Sequence, residues 1–298
     1  MEFADAAIRW YDEMARDLPW RRPGTSPWGV LVSEVMLQQT QVARVVPVWT
    51  AWLDRWPTPP ALAAATAGDA IRAWGRLGYP RRALRLHAAA VAIGSRHGGE
   101  VPDDVGQLLD LPGIGAYTAR AVAAFAFGQR QAVVDTNVRR LVARAVGGRP
   151  DGGPATTVAH LAAVEALLPA GRERAARASV AFMELGALIC TARLPACDGC
   201  PLRRRCRWHL AGRPVGVAVP DGSTRTLVAR ARRSQGYVGT DRQVRGLLLA
   251  VAREAAGPVT GRALDAVWPD AGQRRRALAG LLDDGLLVRA TGGRYALP

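Results

Sequence analysis

Between Phe3 and Trp208 apolar residues return every three or four positions, in short runs broken by Gly or Pro near Pro23, Pro57, Gly78, Gly98 and Gly147. That period buries one face of a helix, and no convincing period-two alternation, the mark of a half-buried strand, interrupts it. The expected fold is mainly α, a series of amphipathic helices joined by tight turns. Past Gly212 the period lapses into GRPVGVAVPDGSTRTLVARARRSQGYVG, a basic, Gly- and Pro-punctuated segment that reads as a linker over 213–239, with a short strand possible in its Val-rich part. Periodicity resumes at 240, where Thr240 can cap a helix over Asp241 to Glu254 and Thr260 a shorter one ending near Trp268. A third helix from about Ala271 to Asp284 and a hairpin turning at Gly292 and Gly293 complete a winged-helix-like pattern over 240–298.

One stretch resists the burial rule. SEVMLQQTQV, Ser33 to Val42, lies within an apolar run yet carries Glu34, Gln38, Gln39 and Gln41. A buried polar group costs free energy unless something satisfies it, and a buried charge costs more. Read as one continuous helix, Glu34, Gln38 and Gln41 share a stripe beside Leu31, Val35 and Val42, with Gln39 and Thr40 on the other side. Such a helix either has a wet face or meets a ligand rich in hydrogen-bonding edges.

Charge narrows the ligand. The chain has 40 basic residues against 25 acidic ones, a formal net charge of +15, and every one of the basic residues is arginine. Arginine in such excess points to a polyanion, since its planar fork suits phosphate and guanine edges. The opening MEFADAAIRWYDEMARDLPW is acidic where a secretion signal would be basic, and no apolar run reaches membrane-spanning length. The expectation is a soluble intracellular protein, without membrane association and with no feature demanding more than a monomer.

Three motifs carry chemistry. In DDVGQLLDLPGIGAYTARAVAAFAF, two helices meet at Leu111-Pro112-Gly113-Ile114-Gly115. Gly113 and Gly115 can supply positive φ or close backbone approach there, and the amides opening the second helix suit a phosphate oxygen. The string reads as a helix-hairpin-helix DNA-binding motif. Twenty residues on, VVDTNVRRLVAR places Asp135 immediately before another helix, as an N-cap whose carboxylate can also serve catalysis. All four cysteines fall at Cys190, Cys197, Cys200 and Cys206, a spacing that permits zinc or an iron-sulfur cluster and reads as one local metal site rather than a disulfide framework. Arg203, Arg204 and Arg205 sit between the last two, a loop of guanidinium groups suited to phosphate.

Hairpin, aspartate and cysteine spacing together resemble the endonuclease III superfamily of DNA glycosylases, over roughly Trp10 to His209, and the Ser33–Gln41 and Gly75–Tyr79 segments resemble its MutY-type adenine glycosylases. The resemblance implies a helix-hairpin-helix glycosylase core over 1–212, its six-helix part at about 20–130 and its cluster part at 1–19 plus 131–212. It implies a [4Fe-4S] cluster on the four cysteines, and a monofunctional enzyme of base excision repair that hydrolyses the glycosidic bond of adenine mispaired with 8-oxoguanine or guanine. The partner is then double-stranded DNA containing mispaired adenine, and the place of action the cytoplasm with its nucleoid.

By the same resemblance Glu34 protonates N7 and activates water while Asp135 faces the sugar, a division in which apolar Val30 and Leu37 favour neutral Glu34 and a helix start favours ionised Asp135. Tyr117 lies beside the scissile bond and Asn137 supports Asp135. Trp20, Arg21 and Leu37 wall the adenine pocket, and Gln39, Thr40, Leu77 and Tyr79 contact or wedge beside the opposite base, which an enzyme acting on a flipped adenine must recognise. Bifunctional relatives carry a Schiff-base lysine at the Tyr117 position, and this chain has no lysine, so only weak strand scission through the N-terminal amine is expected.

The sequence departs from the family at several points. Pro80 replaces a commonly aromatic neighbour of Tyr79, Thr136 stands where glycine is usual, and the linker and winged-helix-like pattern occupy the place of a Nudix-like domain. The appended pattern could bind DNA through Gln273, Arg274, Arg275 and Arg276, with Arg289 and Arg294 on its wing, or recruit other repair or replication proteins. Two other functions fit parts of the pattern: a glycosylase for thymine or uracil opposite guanine, and a non-catalytic DNA-damage-binding protein. The SEVMLQQTQ segment argues against the first, and the intact Glu34 and Asp135 pair against the second.

Overall fold

The computed structural model describes residues 2–214, 216–218, 224–226 and 237–298. In chain order the elements are α1 (Glu2–Met14), α2 (Pro27–Leu37), α3 (Val42–Arg55), α4 (Pro59–Ala63), α5 (Ala67–Trp74), α6 (Arg81–Arg96), α7 (Val105–Leu109), α8 (Ala116–Phe127) and α9 (Thr136–Ala145). There follow α10 (Val158–Glu165), α11 (Arg172–Leu188), α12 (Arg207–Leu210), β1 (Gly216–Ala218), β2 (Thr224–Thr226), α13 (Asp241–Glu254), α14 (Gly261–Asp265), α15 (Ala271–Asp283), β3 (Val288–Ala290) and β4 (Arg294–Ala296). The fold is mainly helical, as the apolar period requires. Much of the basic linker over 213–239 lies outside the described residues; within it β1 and β2 pair antiparallel, Gly216 with Thr226.

The chain forms two compact units, one of Met1–Val30, Asp103–Leu109 and Gly115–Arg230, the other of Leu31–Pro102, Asp110–Ile114 and Ala231–Pro298. In the first, α11 is the central element. It buries Ala175, Ala178, Ala181, Phe182 and Leu185 against Ala4, Ala7 and Tyr11 of α1 and against Val138, Leu141 and Val142 of α9. Small side chains let these helices approach closely: a Cβ on Gly186 would stand 2.7 Å from the carbonyl oxygen of Asn137. Burial here also takes in a charge. Glu184, with no exposed surface, receives Arg16 at 2.7 Å and Arg21 at 2.9 Å. Burial alone would push its carboxyl up, but the two guanidinium groups overcome that and hold it at about 2.

In the second unit α4 and α5 pack on α6 and α3 packs on α5, where Trp52 of α3 meets Trp56 and Trp74 edge-on at centroid distances of 4.8 and 5.8 Å. The same unit holds the chain from α13 onward. Thr240, Thr260 and Asp270 cap α13, α14 and α15 through their side chains, and β3 pairs antiparallel with β4 across Gly292 and Gly293, both at φ 67°. Val259 extends the hairpin through reciprocal bonds with Tyr295 at 2.8 and 2.9 Å. This terminal module meets the helices of its unit directly: Gly68 N–H donates to Pro298 O at 2.6 Å, and Arg81 pairs with Asp284 at 3.1 Å.

The SEVMLQQTQV stretch is not one helix. α2 stops at Leu37, Gln38 to Thr40 form a turn in which Gln39 adopts φ 55°, and Gln41 precedes α3 as its N-cap. Glu34 therefore shares no helical stripe with Gln38 and Gln41. The reason is a side chain distant in sequence, Arg82, which takes up the carbonyls that a continuing helix would have used.

Candidate active site

In the first unit the site is built on the start of α9. Asp135 is its N-cap: one carboxylate oxygen accepts from Val138 N–H at 2.7 Å, the other from Asn137 Nδ2 at 2.7 Å. Burial pushes the Asp135 carboxyl above its ordinary range, against the opposing pull of these donors and of nearby Arg140. The helix start moderates the shift but does not reverse it. Arg140 was not singled out from sequence, and it joins two predicted groups: it donates to Asn137 Oδ1 at 2.9 Å and, by Nε, to the carbonyl of Cys190 at 2.6 Å. One turn on, Arg144 donates to Thr191 O at 2.7 Å and Ala192 O at 3.0 Å, with Cys190 Sγ at 3.5 Å, and lies over the Trp208 ring. Two arginines four residues apart thus fasten the helix capped by Asp135 to the cysteine loop.

All four cysteines, Cys190, Cys197, Cys200 and Cys206, line one apolar cavity with Leu202 and Trp208. Burial pushes the Cys200 thiol to about 11, and its three neighbouring cysteines push the same way. Bringing four thiols around one cavity is unfavourable for thiolates unless positive charge is bound there. Among the described residues, no three His, Cys, Asp or Glu side chains stand at the spacing of a single metal ion. The expected arginine trio divides: Arg203 pairs with Asp198 at 3.1 Å and donates to His209 at 3.1 Å, Arg205 pairs with Glu2, and Arg204 is exposed.

Trp20 is buried, and the Arg21 guanidinium is engaged by Glu184. Tyr117, on the first turn of α8, packs against Ala121, Ala124 and Val133. The α7–α8 hairpin separates the roles of its two glycines. Gly113 has φ 80°, and a Cβ there would stand 2.6 Å from Cβ of Arg85. Gly115 is the extended N-cap of α8 at φ −97°, with nothing within 4 Å of a Cβ there, an open approach to the first amides of that helix.

In the second unit Glu34 is 6% exposed, in the middle of α2, with Leu31 and Val35 buried beside it and Leu37 half-buried at the helix end. Three predicted residues come together beyond that end. Thr40 Oγ1 donates to the carbonyl of buried Leu77 at 3.4 Å, and Arg82 gathers the rest. Its guanidinium donates to the carbonyls of Val35, Met36 and Gln38 at 2.9, 2.9 and 2.6 Å, to Thr40 Oγ1 at 2.9 Å and to Gly78 O at 3.0 Å. It also lies 5.1 Å from the Trp74 ring centroid and 5.5 Å from that of Tyr79. Burial among neutral acceptors lowers Arg82 to about 10, so it stays charged at neutral pH. Sequence gave no reason to prefer Arg82 over Arg81 or Arg85; only a buried cation at that helix position distinguishes it. Tyr79 itself is exposed, in the left-handed region at φ 48°.

The HhH-GPD superfamily of base excision DNA repair proteins matches residues 32–165. Among solved structures, that of a thermostable thymine-DNA glycosylase aligns at TM-score 0.63 and 26% identity, covering 70% of this chain and 95% of that one. A non-covalent endonuclease III–DNA complex aligns at TM-score 0.59 and 25% identity, covering 70% and 94%. The class is a helix-hairpin-helix DNA glycosylase.

Sequence relatives are narrower. An adenine DNA glycosylase of Mycobacterium tuberculosis is 55% identical over 292 residues, 98% of this chain and 92% of that protein. That of Mycolicibacterium smegmatis is 56% identical over 291 residues, 97% and 94%. The human one is 40% identical over 215 residues, 69% of this chain and 39% of the human protein. The chain belongs to the MutY-type adenine DNA glycosylases, enzymes of base excision repair that hydrolyse the N-glycosyl bond of mispaired adenine. This displaces both the thymine or uracil glycosylase and the non-catalytic binding protein as readings of the sequence.

Proposed function

We propose that this adenine glycosylase uses Glu34 as proton donor and Asp135 as the carboxylate facing the sugar, and acts on adenine opposite 8-oxoguanine or guanine in nucleoid DNA of the cytoplasm. The C1′–N9 bond breaks with its electron pair departing on adenine, the Glu34 carboxyl gives its proton to N7, and the sugar is left as an oxocarbenium-like cation. The Asp135 carboxylate stabilises that cation. Water then adds to C1′ and returns a proton to Glu34, leaving an abasic site. The position of Glu34, 6% exposed in the middle of α2, carries this reading, because an acid shielded from bulk water can hand its proton directly to a bound base.

In the same reading Asn137 orients Asp135, Tyr117 acts at the scissile bond, and Trp20, Arg21 and Leu37 contact the adenine. Arg21 would do so from its ion pair with Glu184. Gln39, Thr40, Leu77 and Tyr79 meet the opposite base, and Gly113, Gly115 and Arg203 to Arg205 the phosphates. Tyr117 and the absence of lysine support monofunctional chemistry. The four cysteines, which line one cavity, would hold the [4Fe-4S] cluster that the family resemblance implies. Bound there, the cluster would fix the loop that Arg140 and Arg144 grip, with no redox step in hydrolysis.

The test is single-turnover base release from duplexes carrying A opposite 8-oxoguanine, A opposite guanine, and T or U opposite guanine, with alkali to reveal abasic sites. Release of adenine, abolished in Glu34→Gln while DNA binding persists, supports the assignment. Turnover surviving in Glu34→Gln refutes it. Iron and zinc analysis of wild type and Cys197→Ser decides the cofactor.

A further inference from the structure

Of the four side chains that α15 offers for contact with DNA, three are engaged by neighbouring parts of the chain and Arg275 is exposed. Gln273 accepts from Trp268 Nε1 at 2.6 Å and donates to Gly239 O at 3.0 Å. Arg274 is held by Asp265 at 3.0 Å, and Arg276 by Asp241 at 3.4 Å. A residue that does reach out of the module is Arg242, in the first turn of α13. A cation at a helix N-terminus opposes the helix dipole, so this position is electrostatically unfavourable unless something outside the helix holds the charge. That something is Tyr79. Arg242 donates to the Tyr79 phenol oxygen at 3.0 Å, and its guanidinium carbon lies 5.4 Å from the ring centroid.

Tyr79 is thus held from two directions. Arg82 stands 5.5 Å from the same ring, and its backbone N–H donates to the Tyr79 carbonyl at 3.0 Å. The left-handed backbone at φ 48° is costly for a residue with a Cβ and persists where surrounding contacts impose it. An aromatic ring 47% exposed has many orientations open to it; a donor fixed on its hydroxyl leaves few. The module bearing Arg242 is anchored by Arg81–Asp284 and Gly68–Pro298, so the donor arrives on a fixed support.

We propose that Arg242 is a positioning residue for recognition of the base opposite adenine: from the C-terminal module it pre-orients the Tyr79 phenol toward the duplex. This makes the module part of the specificity apparatus through one side chain. The inference rests on the reading of Tyr79 as a contact to the opposite base.

The experiment compares the full-length wild type, Arg242→Ala, Tyr79→Phe, Tyr79→Ala and the Arg242→Ala/Tyr79→Ala double variant. It measures the ratio of single-turnover rates for adenine opposite 8-oxoguanine and opposite guanine at subsaturating enzyme, with thermal unfolding alongside. Arg242→Ala should lower the ratio about tenfold, the size of one charge-assisted hydrogen bond, with the melting temperature moving by about 1 °C or less, as for an exposed side chain. Tyr79→Phe should do the same, and in the Tyr79→Ala background loss of Arg242 should add nothing. An unchanged ratio in Arg242→Ala with a reduced one in Tyr79→Ala overturns this inference and leaves the Tyr79 reading standing. So do losses that add in the double variant, since Arg242 would then act independently. A ratio unaffected by Tyr79→Ala, or a wild type that does not distinguish the duplexes, removes the Tyr79 reading and the inference with it.

Discussion

The start of α9 and the end of α2 solve the same physical problem with opposite charges. Helix N-termini present unpaired N–H groups and C-termini unpaired carbonyls, so the first attracts an anion and the second a cation. At α9 the anion is Asp135; at α2 the cation is Arg82, reaching three carbonyls near the helix end. In the first region the capping group is also the group assigned to the chemistry. In the second it is a support whose five acceptors hold the turns bearing Gln38, Thr40 and Gly78, while the carboxylate assigned to proton transfer, Glu34, lies within the helix. The two caps should therefore fail differently when altered.

The sharpest way to separate them is Asp135→Asn. Asparagine caps as well as aspartate, so stability should hold while single-turnover base release falls by about a thousandfold, the scale of losing one electrostatic stabiliser. A large fall in melting temperature with turnover retained would reduce Asp135 to its structural task. Arg82→Met should show the converse: a loss of about 3–5 kcal/mol in denaturant unfolding, from buried acceptors left unpaired, with weaker DNA binding but a chemical step that persists on bound substrate.

Glu184 supplies a third case, a buried carboxylate met by two arginines directly. Its folded value of about 2 lies below the ordinary 4.5, so its contribution is present above pH 4.5 and is lost as pH falls toward 2. Glu184→Gln should cost roughly 3 kcal/mol at neutral pH and flatten the acid limb of the stability curve in that window. Unchanged acid stability would show that Arg16 and Arg21 do not hold the charge as their geometry indicates.

The smallest effect tests the link from α9 to the cysteine loop. Arg140 lowers the Asp135 carboxyl while burial raises it. Arg140→Met should then move the acidic limb of the pH–rate profile upward, because Asp135 must be ionised to act and loses a neighbouring cation. A limb that stays in place with a reduced plateau would assign Arg140 to packing alone.

Much of this was legible in the residue order, for local reasons. Thr240, Thr260 and Asp135 cap their helices because an Ncap side chain reaches its own helix three residues on, and Gly292 and Gly293 turn a hairpin because they accept positive φ. The motif spacings that pointed to the glycosylase family are local in the same sense. What sequence misjudged was SEVMLQQTQV, because the cation that ends α2 lies more than forty positions away at Arg82. It could not distinguish Arg82 from its neighbours, place Arg140 between Asn137 and Cys190, or bring Arg242 to Tyr79, 163 positions apart. Periodicity and capping follow from the backbone within a few residues; which of forty arginines meets which acceptor is decided only when packing fixes the distances.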